Sequence, residues 1–439
     1  MSSSRSPNDS IQVRTARVVL LATAASALAS ACVQNAGKKS PPPPDQVLPV
    51  EVTLGVQHQV ITGFGASSAW TAPSLSDTEA DQFFSPVTGI GLSLLRVRIA
   101  PNGTTAELAT AQSAAARGVS VWAAPWSPPD EWKYNAAKSS GDYLLPTQAQ
   151  AWADRLASFA VQMAAAGVPL AALSAQNEPN YYTTAWDTCI FKPADLVAFI
   201  RDNLGPALAA QGLAALPILA PETQGWDSFV KFADAILADA QTAAFVGVLA
   251  THDYSGFPSV YPPAQAAGKQ VWETEVYDSS SDPGIESGLR VAQVIHDHLV
   301  NGEVNAWHYW WLKPSTGGGS ALAGSDGTLT RRGYVLGNWS RFVRPGFVRV
   351  DATPIPQDFV SVSAFTDPVG GRVVIVAINQ ATADVAQIFS IPGTVITTVT
   401  PWITSADLAL APADAVPLAD GGFAYALPQQ SVTTFVGDP

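Results

Sequence analysis

Cysteine is almost missing from this chain: Cys32 and Cys189 are the two in 439 residues. A disulfide framework is therefore excluded. A lone bridge between them is not expected, because Cys32 adjoins a polar, proline-rich tether. Cys189 has no catalytic company in the sequence and reads as a packed thiol. Charge is also sparse. Charged residues make up 13% of the chain, against about 25% for an average soluble protein. The net charge is −13 and no basic stripe is present, which argues against nucleic acid as a partner. Familiar catalytic motifs are missing too. There is no Gly-x-Ser-x-Gly elbow, which counts against an esterase. There is no His-Glu-x-x-His helix, and His296 and His298, two apart in a helical pattern, diverge. Gly63-Phe64-Gly65 lacks the third glycine of a dinucleotide fingerprint. Neither a metal nor a cofactor is expected.

What is present is apolar: 47% of the residues are hydrophobic, and thirteen are tryptophan. Tryptophan faces suit the apolar faces of sugar rings, although a core can absorb them equally well. The N-terminus has the order of an export signal. Arg14 and Arg17 precede an apolar run from Val18 to Leu28, and Ala29-Ser30-Ala31 lead into Cys32. The run is too short to span a bilayer. Residues 1–31 are thus expected to be a signal peptide. Cys32 sits as in a bacterial lipoprotein cleavage site, where it would be lipidated and attach the chain to a membrane; simple cleavage after Ala31 is the alternative. Residues 32–49, with Pro41 to Pro44 consecutive, form a tether. The expected location is outside the cytoplasm: extracellular, periplasmic or lipid-anchored at the bacterial cell envelope. A monomer is expected.

From residue 59 to 343, short apolar runs alternate with helical patterns. Eight runs are strand-like: Gln59–Ser68, Leu92–Ala100, Val119–Trp126, Leu170–Asn177, Leu216–Pro221, Phe245–Tyr254, Gln270–Tyr277 and Val304–Leu312. Helical segments include Ala106–Arg117, Thr147–Ala166, Pro193–Gln211, Trp226–Ala240 and Ile285–Asn301, with a last one near Thr330–Phe342. Eight such alternations over this length predict an α/β fold, a closed (β/α)8 TIM barrel. From 344 to 439 the chain changes to short runs rich in valine, isoleucine and threonine, such as Phe359–Thr366 and Arg372–Asn379. That pattern predicts an all-β sandwich. The orphan strand Glu51–Leu54, within residues 50–58, is expected to join it.

Two glutamates stand at the ends of predicted barrel strands. Glu178 follows Ala175-Gln176-Asn177 and precedes Pro179; Glu275 ends Val271-Trp272-Glu273-Thr274. In a TIM barrel the strand ends carry the active site. Two carboxyls facing each other across roughly 5–5.5 Å are the minimum apparatus of retaining glycoside hydrolysis. Alternation places Glu273 on the same face as Glu275, one layer deeper; buried there, it needs a partner, and Arg96 or Arg98 on the second strand could serve. Glu275, nearer the mouth, is the better nucleophile. It must stay ionised, which calls for an arginine from the second strand and a tyrosine from the sixth, Tyr254. His252 points the same way as Tyr254. Trp70, Trp126, Trp132, Trp226 and Trp310 fall at or near strand exits, with Trp126 and Trp310 the favoured sugar platforms.

The segments Gly91–Ile99, Pro125-Trp126-Ser127-Pro128-Pro129, Gln176–Pro179, His252-Asp253-Tyr254, Val271–Glu275, Tyr309-Trp310-Trp311 and Arg344–Thr353 resemble glycoside hydrolase family 30, in family order, from about Val52 to the end. The resemblance implies that Glu178 is the acid/base and Glu275 the nucleophile, that Asn177 binds the sugar 2-hydroxyl, and that the sandwich includes the N-terminal strand. The branch it resembles most is the endo-β-1,4-xylanases. Members that require glucuronate-decorated xylan carry an arginine after the strand-eight tryptophans, whereas Leu312-Lys313-Pro314 follow here. Lysine cannot make the planar two-point grip of arginine on a carboxylate, so strict glucuronate dependence is not expected. Other branches cleave β-1,6-glucan, β-1,6-galactan or glucosylceramide, and these stay open. So does, more remotely, an inactive carbohydrate-binding surface protein. The substrate partner implied is a polysaccharide.

Overall fold

The computed structural model describes residues 48–71, 74–135, 142–316 and 319–439. The signal segment, Cys32 and nearly all of the tether lie outside the described residues. A first strand, β1 (Val50–Val60), precedes eight more: β2 (Gly63–Ser67), β3 (Leu94–Ile99), β4 (Ser120–Pro125), β5 (Leu170–Ser174), β6 (Ile218–Leu219), β7 (Val246–Thr251), β8 (Gln270–Glu273) and β9 (Ala306–Tyr309). These eight are parallel neighbours in sequence order, and β2 pairs with β9 to close a barrel. Each lies inside one of the apolar runs read from the sequence. The runs were continuous rather than alternating because both faces of such a strand are covered: β4 is buried from Val121 to Pro125.

The barrel interior is filled, not hollow. Leu94, Trp122, Ala124, Trp126, Ala172 and Trp272 form one of its packed clusters. Trp122 donates its indole N–H to Nε2 of His308 at 3.0 Å, and His308 turns Nδ1–H to the carbonyl of Glu273 at 2.9 Å. Burial holds His308 neutral, its pKa pushed down to about 3. A tryptophan–histidine plug thus forms the floor on which the upper, polar layer rests. A larger cluster joins the outer faces of the strands to the surrounding helices.

The remaining strands are β10 (Val348–Ala352), β11 (Val360–Thr366), β12 (Val373–Asn379), β13 (Val385–Ser390), β14 (Thr398–Thr404), β15 (Ala411–Pro412), β16 (Val416–Pro417), β17 (Gly422–Leu427) and β18 (Ser431–Gly437). They pair in the order β15-β14-β18-β12-β11-β10-β1-β13-β17, with β16 on β14. β1 is antiparallel to β10 and parallel to β13. It is the strand at which the sheet folds over on itself, because Phe435 of β18 meets Phe389 of β13 and Phe423 of β17 at 5.0 and 5.1 Å. The orphan strand therefore joins the C-terminal module, and it is longer than the sequence indicated: it runs on to Val60, so the barrel proper starts at Gly63. The helix expected over Pro193–Gln211 is interrupted by a wider π turn at Ile200–Leu204.

The two parts are bonded together. On the helix Arg331–Ser340, Asn338 Nδ2 donates to the Trp402 carbonyl at 3.1 Å and to Thr434 Oγ1 at 2.9 Å. Arg349, in β10, donates to Glu303 Oε1, just before β9, at 2.9 Å. Side chains of the sheet, among them Phe365, Val374 and Val432, belong to the same apolar cluster as the barrel's helices. The sandwich braces the side of the barrel. No helix among the described residues is long and apolar enough to cross a membrane.

Candidate active site

The C-terminal ends of the barrel strands converge on a buried polar layer. Arg96, in β3, is completely enclosed and supplies its cation. Its guanidinium donates to Glu275 Oε2, to Glu222 Oε1 at 2.6 Å and to Asn177 Oδ1 at 2.5 Å. The face of Trp126 lies 4.4 Å from the guanidinium carbon, a cation–π contact that takes the place of water on that side. Burial alone would lower the pKa of Arg96, but Glu222 and Glu275 raise it above its usual value.

Glu275 receives a second donor, the hydroxyl of Tyr254 at 2.8 Å on Oε1. Both of its oxygens are thus addressed by N–H or O–H groups, the arrangement that receives an ionised carboxylate. Burial, the largest influence, and Glu178 leave its pKa raised above the ordinary value, against the pull of His252 and Arg96, which favour the ionised form. Opposite stands Glu178, 4% exposed, with Oε1 at 3.3 Å from Nδ1 of His252. Carboxylate oxygens of Glu178 and Glu275 and a nitrogen of His252 all lie within 4.8 Å of one another. Here burial would discharge His252, and the carboxylates of Glu275, Glu178 and Glu222 reverse this and lift its pKa to about 10. Arg96 and His252 are the cations of the site.

Glu222 is the residue that sequence reading missed. It directly follows the predicted fifth strand, Leu216–Pro221, is fully buried, and accepts from Arg96 and from the Ser174 hydroxyl. Burial, the largest influence, would raise its pKa, but Arg96, then His252 and Ser174, hold the carboxyl below the usual range. Its signal was available: an acid immediately beyond a barrel strand. Backbone strain marks the same place. Trp70, Glu178 and Glu222 have φ of +53°, +46° and +59°. Non-glycine residues in this region persist only where their surroundings impose it, and they cluster at functional sites.

Glu273 needs correction. Neither arginine named for it pairs with it: Arg96 pairs with Glu275 and Arg98 with Asp187. Trp272↔Ala306 and Val276↔Tyr309 show four steps on the β8 side against three on the β9 side. This bulge breaks the alternation on which the shared face was argued. The Glu273 carboxyl fills it, accepting the backbone N–H of Glu275 at 2.8 Å and of His308 at 3.0 Å. Burial, first, and Asp253 raise its pKa well above the ordinary value, against the pull of the His308 and Glu275 N–H groups and His252. Glu273 aims the backbone of Glu275.

The other predicted residues fall into two groups. Asn177 is buried beside Glu178, its oxygen held by Arg96, so its NH2 is the group left to donate to a ligand. Trp70, Trp126 and Trp310 meet in a triangle with ring centroids 5.3, 6.0 and 6.1 Å apart. Trp126 is 2% exposed and Trp70 40%; Trp70 offers the larger platform and Trp126 backs it. Arg98 lies over Trp70 at 4.8 Å and donates to Asp187 Oδ2 at 2.5 Å, which ties the β3 exit to the loop after Glu178. Trp132 and Trp226 are outside this layer: Trp132 packs on Trp152, and Trp226 on Phe229 and His298. Cys189 is buried and free, its thiol pKa pushed up to about 12 by burial. Lys313 is 7% exposed and paired with Glu79. Glu79 is itself half of a capping box with Ser76 at the start of the helix Asp77–Phe84.

The family model for the glycosyl hydrolase family 30 TIM-barrel domain matches residues 104–274. The glucuronoxylanase XynC of Bacillus subtilis strain 168 is 35% identical over 403 residues, 88% of this chain and 91% of that one. The chain belongs to glycoside hydrolase family 30. A family 30 subfamily 8 xylanase from Clostridium acetobutylicum superimposes with a TM-score of 0.81 and 36% identity, over 89% of this chain and 100% of that one. The lysosomal acid glucosylceramidase of Mus musculus is 24% identical over 63% of this chain and 59% of its own. Family 30 enzymes are retaining O-glycosyl hydrolases, and this protein is one of them.

Proposed function

We propose that the protein is an exported endo-β-1,4-xylanase that does not strictly require glucuronate side chains, with Glu275 as nucleophile and Glu178 as acid/base. The observation that carries the assignment is the juxtaposition of these two carboxylates, with oxygens within 4.8 Å and with Arg96 and Tyr254 hydrogen-bonded to Glu275 rather than to Glu178. That spacing matches the roughly 5–5.5 Å of the retaining route rather than the roughly 6.5–9.5 Å of the inverting one.

Glu275 attacks the anomeric carbon from one side of the ring. Glu178 gives its proton to the glycosidic oxygen as that bond breaks, so the leaving sugar departs as an alcohol. The Glu275 oxygen–carbon bond then holds the sugar. Glu178, now ionised, takes a proton from a water that attacks the same carbon, and Glu275 is released. Arg96 and Tyr254 receive the returning carboxylate charge. The NH2 of Asn177 is placed to donate to the sugar's 2-hydroxyl.

Xylan as substrate rests on the relatives named xylanase. Independence from glucuronate rests on Lys313: its ammonium is enclosed and already neutralised by Glu79, so binding a substrate carboxylate there would break a buried pair. Export rests on the first 49 residues as a sequence. Product analysis on plain xylan, glucuronoxylan, β-1,6-glucan and β-1,6-galactan tests the reading, with Glu275→Gln as the control. Expected are mixed-length xylo-oligosaccharides from both xylans, at rates within about tenfold of each other, and none from the control. Cleavage of glucuronoxylan alone overturns the Lys313 argument; cleavage of a β-1,6-glycan alone overturns the substrate.

A further inference from the structure

The mechanism above uses two carboxylates, yet the polar layer contains three. Glu222 is completely buried and cannot reach a sugar. One oxygen accepts from Arg96 at 2.6 Å and stands 3.5 Å from Nε2 of His252, and the other accepts from Ser174. We propose that Glu222 is a positioning residue: it keeps the imidazole of His252 charged between Glu178 and Glu275, and so fixes the number of protons the site holds. The proposal rests on the roles given to Glu178 and Glu275.

The reasoning is a charge count in a water-poor place. Glu222 and Glu275 as carboxylates balance Arg96 and His252 as cations, so in the step where Glu178 carries the acid's proton the cluster is neutral. A buried cluster is most stable when its charges are paired. Remove one proton and the acid is what suffers, because Nδ1 of His252 lies 3.3 Å from Glu178 Oε1 and a neutral imidazole there takes the proton Glu178 needs to give. Remove the charge of Glu222 instead, and the cluster carries a surplus positive charge that it sheds at lower pH. Glu275, most of all, and Glu178 also favour the charged imidazole, but their own charges change during the reaction and that of Glu222 does not. Glu178 and Glu275 are the reacting pair, Tyr254 meets the imidazole ring at 5.9 Å, and Arg96 and His308 add no negative charge. Burial pushes the pKa of Glu273 well above the ordinary value, and Asp253, next to His252 in the chain, is largely buried with its pKa raised to about 7.

The chain has five histidines, so each imidazole can be followed by NMR in the free enzyme. In the parent enzyme His252 should stay charged to about pH 9 or above. In Glu222→Gln its midpoint should fall by about 1–3 units, the range for loss of one adjacent charge. The signals of His296, His298 and His308 should not move, which reports an intact fold. The alkaline limb of kcat/KM should fall by the same interval, with KM little changed. Should Glu222→Gln not fold, Glu222→Asp, which retracts the charge from the imidazole, should give a smaller shift in the same direction. An unmoved His252 midpoint, or a shift that the alkaline limb does not follow, overturns the proposal. The titration needs no substrate, so a failed xylanase assignment leaves this test standing.

Discussion

Glu275→Ala should lower turnover of an aryl β-xylobioside on the order of 10⁴-fold or more, and azide should restore part of it as the α-glycosyl azide. Without the Glu275 carboxylate no glycosyl-enzyme forms. The space it vacates lies beside Arg96 and Tyr254, a pocket ready for a small anion. Azide bound there attacks the anomeric carbon once, so configuration inverts, while Glu178 still protonates the leaving oxygen. Glu178→Ala should behave in the opposite sense. A good leaving group needs no proton, so Glu275 still captures the sugar, and azide then opens that intermediate with a second inversion. The product should be the β-azide, and the loss on unactivated xylan should be about 10²–10⁴-fold, the usual worth of general acid–base catalysis. The anomer, read by NMR, separates the two roles. An α-azide from Glu178→Ala together with a β-azide from Glu275→Ala would reverse the assignment.

Most of the barrel could be read because burial on both faces writes a barrel strand as an unbroken apolar run. β3 is buried at Leu94–Val97 and at Ile99, and that run stood out in the sequence. What escaped was shorter or more polar. The helix Asp77–Phe84 was overlooked although Ser76 and Glu79, three apart, form the capping box that announces it. β17 (Gly422–Leu427) was missed because its burial alternates irregularly and glycines precede it.

The site was legible in its outer members and not in its connections. Glu178 and Glu275 were found because each follows a strand on a known end of the barrel. Tyr254 was found from the two-residue period, which puts it on the same side as His252. The period failed at Glu273, where one extra residue opposes its neighbour strand, and no one-dimensional pattern shows a bulge. Glu222 failed for another reason: β6 has just two residues, too few to show which of its flanking side chains turns inward. Lys313 was noted for what it is not, an arginine. Its pairing with Glu79, 234 positions away, became visible once the fold brought the helix Asp77–Phe84 beside the β9 exit.

Arg96→Met should destabilise the fold by about 3–5 kcal/mol, the cost of removing one partner from a buried ion pair. The guanidinium is the shared donor of Glu222, Glu275 and Asn177, and none of the three has another arginine among its partners. Methionine fills much of the volume and keeps contact with Trp126, so the loss is electrostatic rather than a cavity. Urea unfolding should therefore show a lower midpoint with an unchanged slope. The double variant Arg96→Met/Glu222→Gln should regain most of this stability, because the unpaired carboxylate left in the deepest position is gone. It should stay inactive, since Glu275 still lacks its cation. The single variant should also recover in acid. Without Arg96, the folded-state pKa of Glu222, now lowered, rises above its unfolded value and that of Glu275, already raised, rises further, so the folded form binds more protons. Stability then increases as pH falls through the raised values and is lost as pH rises through them. A single variant as stable as the parent at pH 7, or one whose deficit grows as pH falls, would contradict the view that one arginine holds this layer together.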